Sequence, residues 1–190
     1  MGQKIGAIKL LFAGRLTREK GVGILLDAVR SSNHSNVSIT IIGEGPLKSE
    51  CENGALHGQI RVAILDPVPY GHQFFDLLRK FDAVIVPSIS DEQPRIIFDA
   101  FSQGIPVLGS NTGGIREVVD DGVNGKLIVP GNPNALSELL EWAGRSRSEL
   151  RTMGLAALDK SRGFTHRSMH EERCNIILDE MANAGDRAGT

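Results

Sequence analysis

The sequence predicts an α/β fold: a Rossmann-like, doubly wound six-stranded parallel sheet, extended by helices after its last strand. Three features carry that prediction. Short apolar, β-branched runs alternate with segments of helical periodicity. Runs such as AVIV at 83–86 are apolar at every position, as in a strand covered on both faces. Glycine or proline marks most of the boundaries between them. Strict alternation demands crossover connections, and these are right-handed in a parallel sheet. At 190 residues, 41% of them hydrophobic, the chain can build one sizeable core.

In chain order, IKLLFAG (8–14) is the first strand, and VGILLDAVR (22–30) follows with Ile24, Leu25, Ala28 and Val29 at helical spacing. VSITIIG (37–43) is the second strand, 46–56 a helix, RVAILD (61–66) the third strand and 72–81 a third helix. AVIV is the fourth strand, ended by Pro87. The loop 88–93 leads to a helix that Pro94 should open, because its missing N–H is unpaired in a first turn anyway. Ser90 or Asp91 could cap that helix. Gly104 ends it, IPVLGS (105–110) is the fifth strand, Gly113-Gly114 opens a further helix, and GKLIV (125–129) is the sixth strand. Helices are expected at 134–144, 148–161 and 165–181, with a disordered tail over 184–190.

Composition narrows the function. A net charge of -2 gives no bulk attraction to nucleic acid or anionic membrane, so any anion site must be local. Cys51 and Cys174 lack metal-ligand spacing and read as reduced core thiols of a cytosolic protein. No apolar run reaches bilayer length, and the N-terminus lacks the apolar segment of a signal peptide. His166 and His170 stand four apart without a third ligand, so an exposed helix face explains them better than zinc.

In a doubly wound sheet the ligand crevice lies beyond the carboxyl ends of the strands. The loops gathered there are 14–21, 43–46, 66–71, 88–94 and 110–114, with 130–132 a further candidate. They offer cations at Arg15 and Lys20, free N–H groups at the helix after Pro94, and carboxylates at Asp91 and Asp99. Diphosphate on the donors, with ribose and sugar on the acids, makes a sugar nucleotide the matching ligand. Each residue also has a duller reading. Arg15 and Lys20 could be a solvated loop, and Asp91 only a helix cap. Arg95 and Asp99, four apart, could form a surface pair worth about 0.3–0.5 kcal/mol. Tyr70 and Trp142 read as core or rim residues rather than stacking platforms.

Pro87-Ser88, Asp91, Pro94, Asp99-Ala100, Gly104-Ile105-Pro106-Val107, Gly113-Gly114 and Glu117-Val118-Val119 occur in an order that resembles a known pattern. It is that of the donor-binding, C-terminal half of a GT-B glycosyltransferase of retaining family 4. GRLTREKG (14–21), GEGPLK (43–48) and DGVNGKLIVPGNPNAL (121–136) match the same family in the same order, over most of the chain.

That resemblance implies a division of roles. Arg15 and Lys20 would bind the diphosphate, Asp99 the ribose hydroxyls, and Asp91 would lie by the donor sugar. Backbone groups of Glu92, Gln93, Pro94 and Arg95 would approach sugar or phosphate, with Thr112, Gly113 and Gly114 lining the pocket. It also implies transfer of a hexose, with a UDP-sugar first among donors, to a glycan or lipid-linked acceptor. No covalent intermediate, cofactor or metal is implied. Residues 1–183 would be one donor domain, partnered by an N-terminal acceptor-binding half that the chain does not contain. A cytoplasmic place, with peripheral association at the inner face of a bacterial membrane, follows from family habit. The chain departs from the family pattern where both family glutamates are Asp, Glu92-Gln93 replaces Gly-Phe, Arg95 replaces an aliphatic residue, and Asp66-Pro67 replaces a glycine. A non-catalytic nucleotide-sugar-binding or assembly module, or half of a sugar-nucleotide epimerase, are the alternatives.

Overall fold

The computed structural model describes residues 6–32, 36–54, 59–164 and Cys174. Six strands, β1 (Ile8–Ala13), β2 (Val37–Ile42), β3 (Arg61–Leu65), β4 (Ala83–Val86), β5 (Val107–Ser110) and β6 (Gly125–Ile128), form one sheet in the order β3-β2-β1-β4-β5-β6. Every pairing is parallel. The predicted fold class is therefore the observed one.

Alternation along each strand divides the core. Leu10 and Phe12 of β1, Ile39 and Ile41 of β2 and Ile85 of β4 face one layer, made by α1 (Val22–Ser31), α2 (Lys48–Gly54) and α6 (Pro133–Arg145). Leu11, Val84, Val86 and Val107 face the other, made by α3 (His72–Leu78), α4 (Ile96–Ser102), α5 (Gly113–Arg116) and α7 (Arg147–Ser161). The central strands are apolar on both faces because helices cover both. Asn132 caps α6, its Oδ1 accepting from the N–H groups of Asn134 and Ala135, with Pro133 in the first turn. The expected helix at 165–181, the tail, and His166 and His170 lie outside the described residues.

The start of α4 corrects the sequence reading. Pro94 lies just before the helix: its carbonyl accepts from the Ile97 N–H at 3.1 Å, and Arg95 takes the cap position with no side-chain cap. Ser90 and Asp91 sit too far upstream to cap. Their side chains go elsewhere, to Glu92 and to the Gly113 N–H.

At the amino ends of the strands, Asp82 accepts from the Lys9 N–H and from Arg147, both at 2.8 Å. Arg147 also donates to the Gly6 carbonyl at 2.7 Å, which pins the start of α7 beneath β1 and β4.

Candidate functional site

Strand order reverses between β1 and β4, so their following loops part and leave a crevice at the carboxyl edge. Close backbone approaches build its walls. The Leu16 N–H donates to the Glu44 carbonyl at 2.8 Å, and the Leu47 N–H to Leu16 at 3.0 Å. On the other side the Ile89 N–H donates to the Glu19 carbonyl at 2.9 Å. Gly21, at φ 72°, passes so near β4 that a Cβ there would lie 1.9 Å from the Pro87 oxygen. Only glycine supplies both the left-handed turn and the close passage. The turn delivers Lys20 to the crevice.

Two adjoining hollows result. The larger, of about 350 Å³, is lined by Arg15, Tyr70, Phe74, Arg95 and Asp99. The smaller, of about 160 Å³, is lined by Lys20, Ser88, Pro94 and Arg95. Arg95 borders both. Six of the expected residues, Asp91, Glu92, Gln93, Thr112, Gly113 and Gly114, line neither hollow. Most of them form a wall behind Lys20. Asp91 Oδ1 accepts from the Gly113 N–H at 2.5 Å, and Gly114 meets the Glu92–Gln93 peptide so closely that a Cβ would fall 2.6 Å from the Glu92 carbonyl carbon. Gln93 is exposed. Thr112 is only 7% exposed, and its Oγ1 has no hydrogen-bond partner.

Lys20 is paired. Its Nζ lies 2.6 Å from Glu92 Oε1, and the same oxygen accepts from the Ser90 hydroxyl at 2.9 Å. The side chains are 15% and 39% exposed, respectively. Lys20 first, and Ser90 second, hold the Glu92 carboxyl below the usual glutamate range. Arg15 is exposed and has no ion-pair partner among the described residues.

At the far end, Asp99 is half-buried and accepts from the Tyr70 hydroxyl at 2.9 Å. Burial pushes its carboxyl above the usual aspartate range, against the opposing pull of the Tyr70 hydroxyl and the Arg95 charge. The surface pair Arg95–Asp99 does not form: the Arg95 guanidinium instead lies 4.2 Å from the centre of the Tyr70 ring. Tyr70 in turn stacks on Phe74 at 5.8 Å. It is a rim residue, 57% exposed, and also a platform. Sequence reasoning missed that second role, although an aromatic residue in the loop 66–71, already placed at this edge, was the available signal. Reasoning likewise missed the Glu92 side chain on Lys20.

Among the described residues no group of three or more His, Cys, Asp or Glu could hold a metal ion, and no helix is long and apolar enough to cross a membrane. Both cysteines are free; Cys51 is buried in the core as expected, whereas Cys174 is exposed, which corrects the reading of it as a core thiol.

Fold and crevice together define a class: a doubly wound α/β protein that collects cations, carboxylates and an aromatic ring at its topological switch point. The chain belongs to the family Glycosyl transferases group 1, whose profile matches residues 3–158. It is 29% identical over 160 residues to an uncharacterized glycosyltransferase of Methanocaldococcus jannaschii, covering 82% of this chain and 43% of that protein. It is 32% identical over 192 residues to a lipopolysaccharide 1,2-N-acetylglucosaminetransferase of Salmonella typhimurium, covering 95% and 50%. The fold is similar to that of Anabaena HepE, solved in complex with UDP-glucose: TM-score 0.78 and 22% identity, over 91% of this chain and 49% of that one. The chain thus spans about half the length of these proteins.

Proposed function

We propose that this chain, over residues 1–183, is the C-terminal, donor-binding domain of a retaining GT-B glycosyltransferase of family 4. The enzyme transfers a hexose from a nucleotide diphosphate sugar, UDP first among the carriers, to a glycan or lipid-linked acceptor. One observation carries the reading: Arg15, Arg95 and Asp99 share one hollow, and Lys20 lines the adjoining one, at the switch point of a parallel sheet. Family membership supports it, as does the similarity to HepE, itself solved with UDP-glucose.

The residues divide the work by chemistry. Asp99, ionised, accepts from ribose hydroxyls, with the Tyr70 hydroxyl giving way or joining the network. Arg15 and Lys20 meet the diphosphate, whose charge grows as its bond to the sugar breaks. Fixed cations that meet this charge stabilise the transition state more than the ground state. Asp91, oriented by the Gly113 N–H, lies by the donor sugar. Backbone groups of Glu92 to Arg95 and of Thr112 to Gly114 complete the wall. With two cations for neutralisation the diphosphate needs no metal, and no cofactor is required. The acceptor is held by an N-terminal half, in keeping with the chain's half-length match to its relatives. The assembled enzyme works in the cytoplasm, in peripheral association with the inner face of a bacterial membrane.

The test is product analysis with the full-length enzyme, with and without EDTA. Transfer to acceptor with retention at the anomeric carbon, unaffected by EDTA, is expected. Inversion, interconversion of free nucleotide sugars, or a strict Mg²⁺ requirement contradicts the assignment.

A further inference from the structure

Glu92 is the departure from the family pattern with the clearest physical consequence. The cation expected to meet the diphosphate, Lys20, is already held at 2.6 Å by the Glu92 carboxylate. That carboxylate is oriented by the Ser90 hydroxyl and, from behind, by the packing of Gly114 on its own backbone. Its lowered proton affinity keeps it ionised. Arg15, which lines the neighbouring hollow with Asp99, feels the charges of Glu92 and Glu19 at longer range but makes no ion-pair contact with a carboxylate among the described residues.

We propose, building on the donor-site reading, that Glu92 is a specificity-determining residue: a resident anion on Lys20 that a ligand must displace or tolerate in order to place its second phosphate there. The first phosphate of a nucleotide, next to the ribose on Asp99, is met by Arg15 and does not disturb the pair. The second reaches Lys20 and either evicts the carboxylate or binds beside a like charge. Either way Glu92 opposes the ligand group that Lys20 attracts. Diphosphate binding is therefore an exchange of one ion pair for another. It weakens less with added salt than the creation of a new pair would.

The experiment compares the wild-type chain with Glu92→Gln, an isosteric change at a partly exposed position that keeps an oxygen to accept from Ser90. A thermal melt confirms that the variant is folded. Titrations use whichever of UDP, GDP and ADP the wild type binds best, together with the matching monophosphate, at low and high NaCl. The expected result is diphosphate binding tighter by about fivefold in the variant, the upper end for a partly exposed ion pair. Monophosphate affinity should rise clearly less than diphosphate affinity, because Glu92 reaches Arg15 only at longer range, and the variant should lose diphosphate affinity more steeply with salt.

Unchanged or weaker diphosphate binding by the folded variant overturns the proposal and leaves the donor-site reading standing. So does equal tightening of the monophosphate, because Glu92 would then not distinguish the two phosphates. If neither the chain nor the full-length enzyme binds any of the diphosphates, the donor-site reading fails and the inference fails with it.

Discussion

Gly114→Ala probes the wall behind Lys20. A Cβ at this position would sit 2.6 Å from both the carbonyl carbon and oxygen of Glu92 and 2.9 Å from the Gln93 nitrogen, where ordinary contact begins at 3.4 Å. All three atoms are backbone and cannot rotate away, so the segment 92–93 must retreat by roughly 0.8 Å, or the start of α5 must tilt, to reach van der Waals spacing. Overpacking of this kind costs about 1–3 kcal/mol. Alanine returns at most about 1 kcal/mol through helix propensity, because Gly114 lies in the first turn of α5. The balance is a loss of about 0–3 kcal/mol, or up to roughly 12 °C in melting temperature for a domain of this size. The same retreat draws the Glu92 carboxylate away from Lys20, so diphosphate affinity should rise, toward the roughly fivefold gain expected of Glu92→Gln. Scanning calorimetry and isothermal titration measure the two effects. A variant with unchanged melting temperature and affinity would refute the reasoning.

Three further perturbations have defined outcomes. Burial raises the Asp99 carboxyl above its unfolded value, so the folded chain holds that proton more tightly and this group's contribution to stability declines as pH rises through the raised value, then levels off. Nucleotide binding, which needs the ionised form, should weaken as pH falls through the same range, and Asp99→Asn should abolish that dependence in pH-resolved titrations. Asp82→Ala, at the opposite edge of the sheet, strands the Lys9 N–H and Arg147. It should cost about 1–3 kcal/mol in urea unfolding while leaving nucleotide affinity unchanged. Thr112→Val removes a buried hydroxyl that has no partner. Denaturant midpoints should show it neutral or stabilising by up to about 1 kcal/mol, and a clear destabilisation would show that the hydroxyl is satisfied after all.

The sheet was legible because its strands are written in runs that leave little choice. IKLLFA, VSITII and AVIV are too short for helices and apolar where both faces are covered, and Gly14, Gly43 and Pro87 after them mark the turns. Element type and order therefore agree throughout the described residues. The start of α4 was not legible: Pro94 fits a first turn as well as the position just before one, and tertiary contacts draw Ser90 and Asp91 to other partners. The loops at the crevice could be collected from topology alone, and Arg15 and Lys20 from one of them border the hollows, as does Asp99 in the first turn of α4. Side-chain pairings across those loops could not. Lys20–Glu92 and Tyr70–Asp99 join residues distant in the chain, and the geometry of the first depends on how closely the backbones approach at Gly21 and Gly114. Arg95 illustrates the same limit: helical spacing pointed to Asp99, whereas the ring of Tyr70, on another loop, took the guanidinium.

The crevice between β1 and β4 is proposed to bind a nucleotide diphosphate through Arg15 and Lys20. Isothermal titration of the chain with UDP, GDP, ADP and their hexose conjugates, repeated on Arg15→Ala and Lys20→Ala, tests it most directly. The account predicts selective binding to one base, weakened by each substitution by about 1.5–3 kcal/mol, as for loss of a charged hydrogen bond. Binding indifferent to both substitutions, or no binding by the wild-type chain and the full-length enzyme alike, would contradict it.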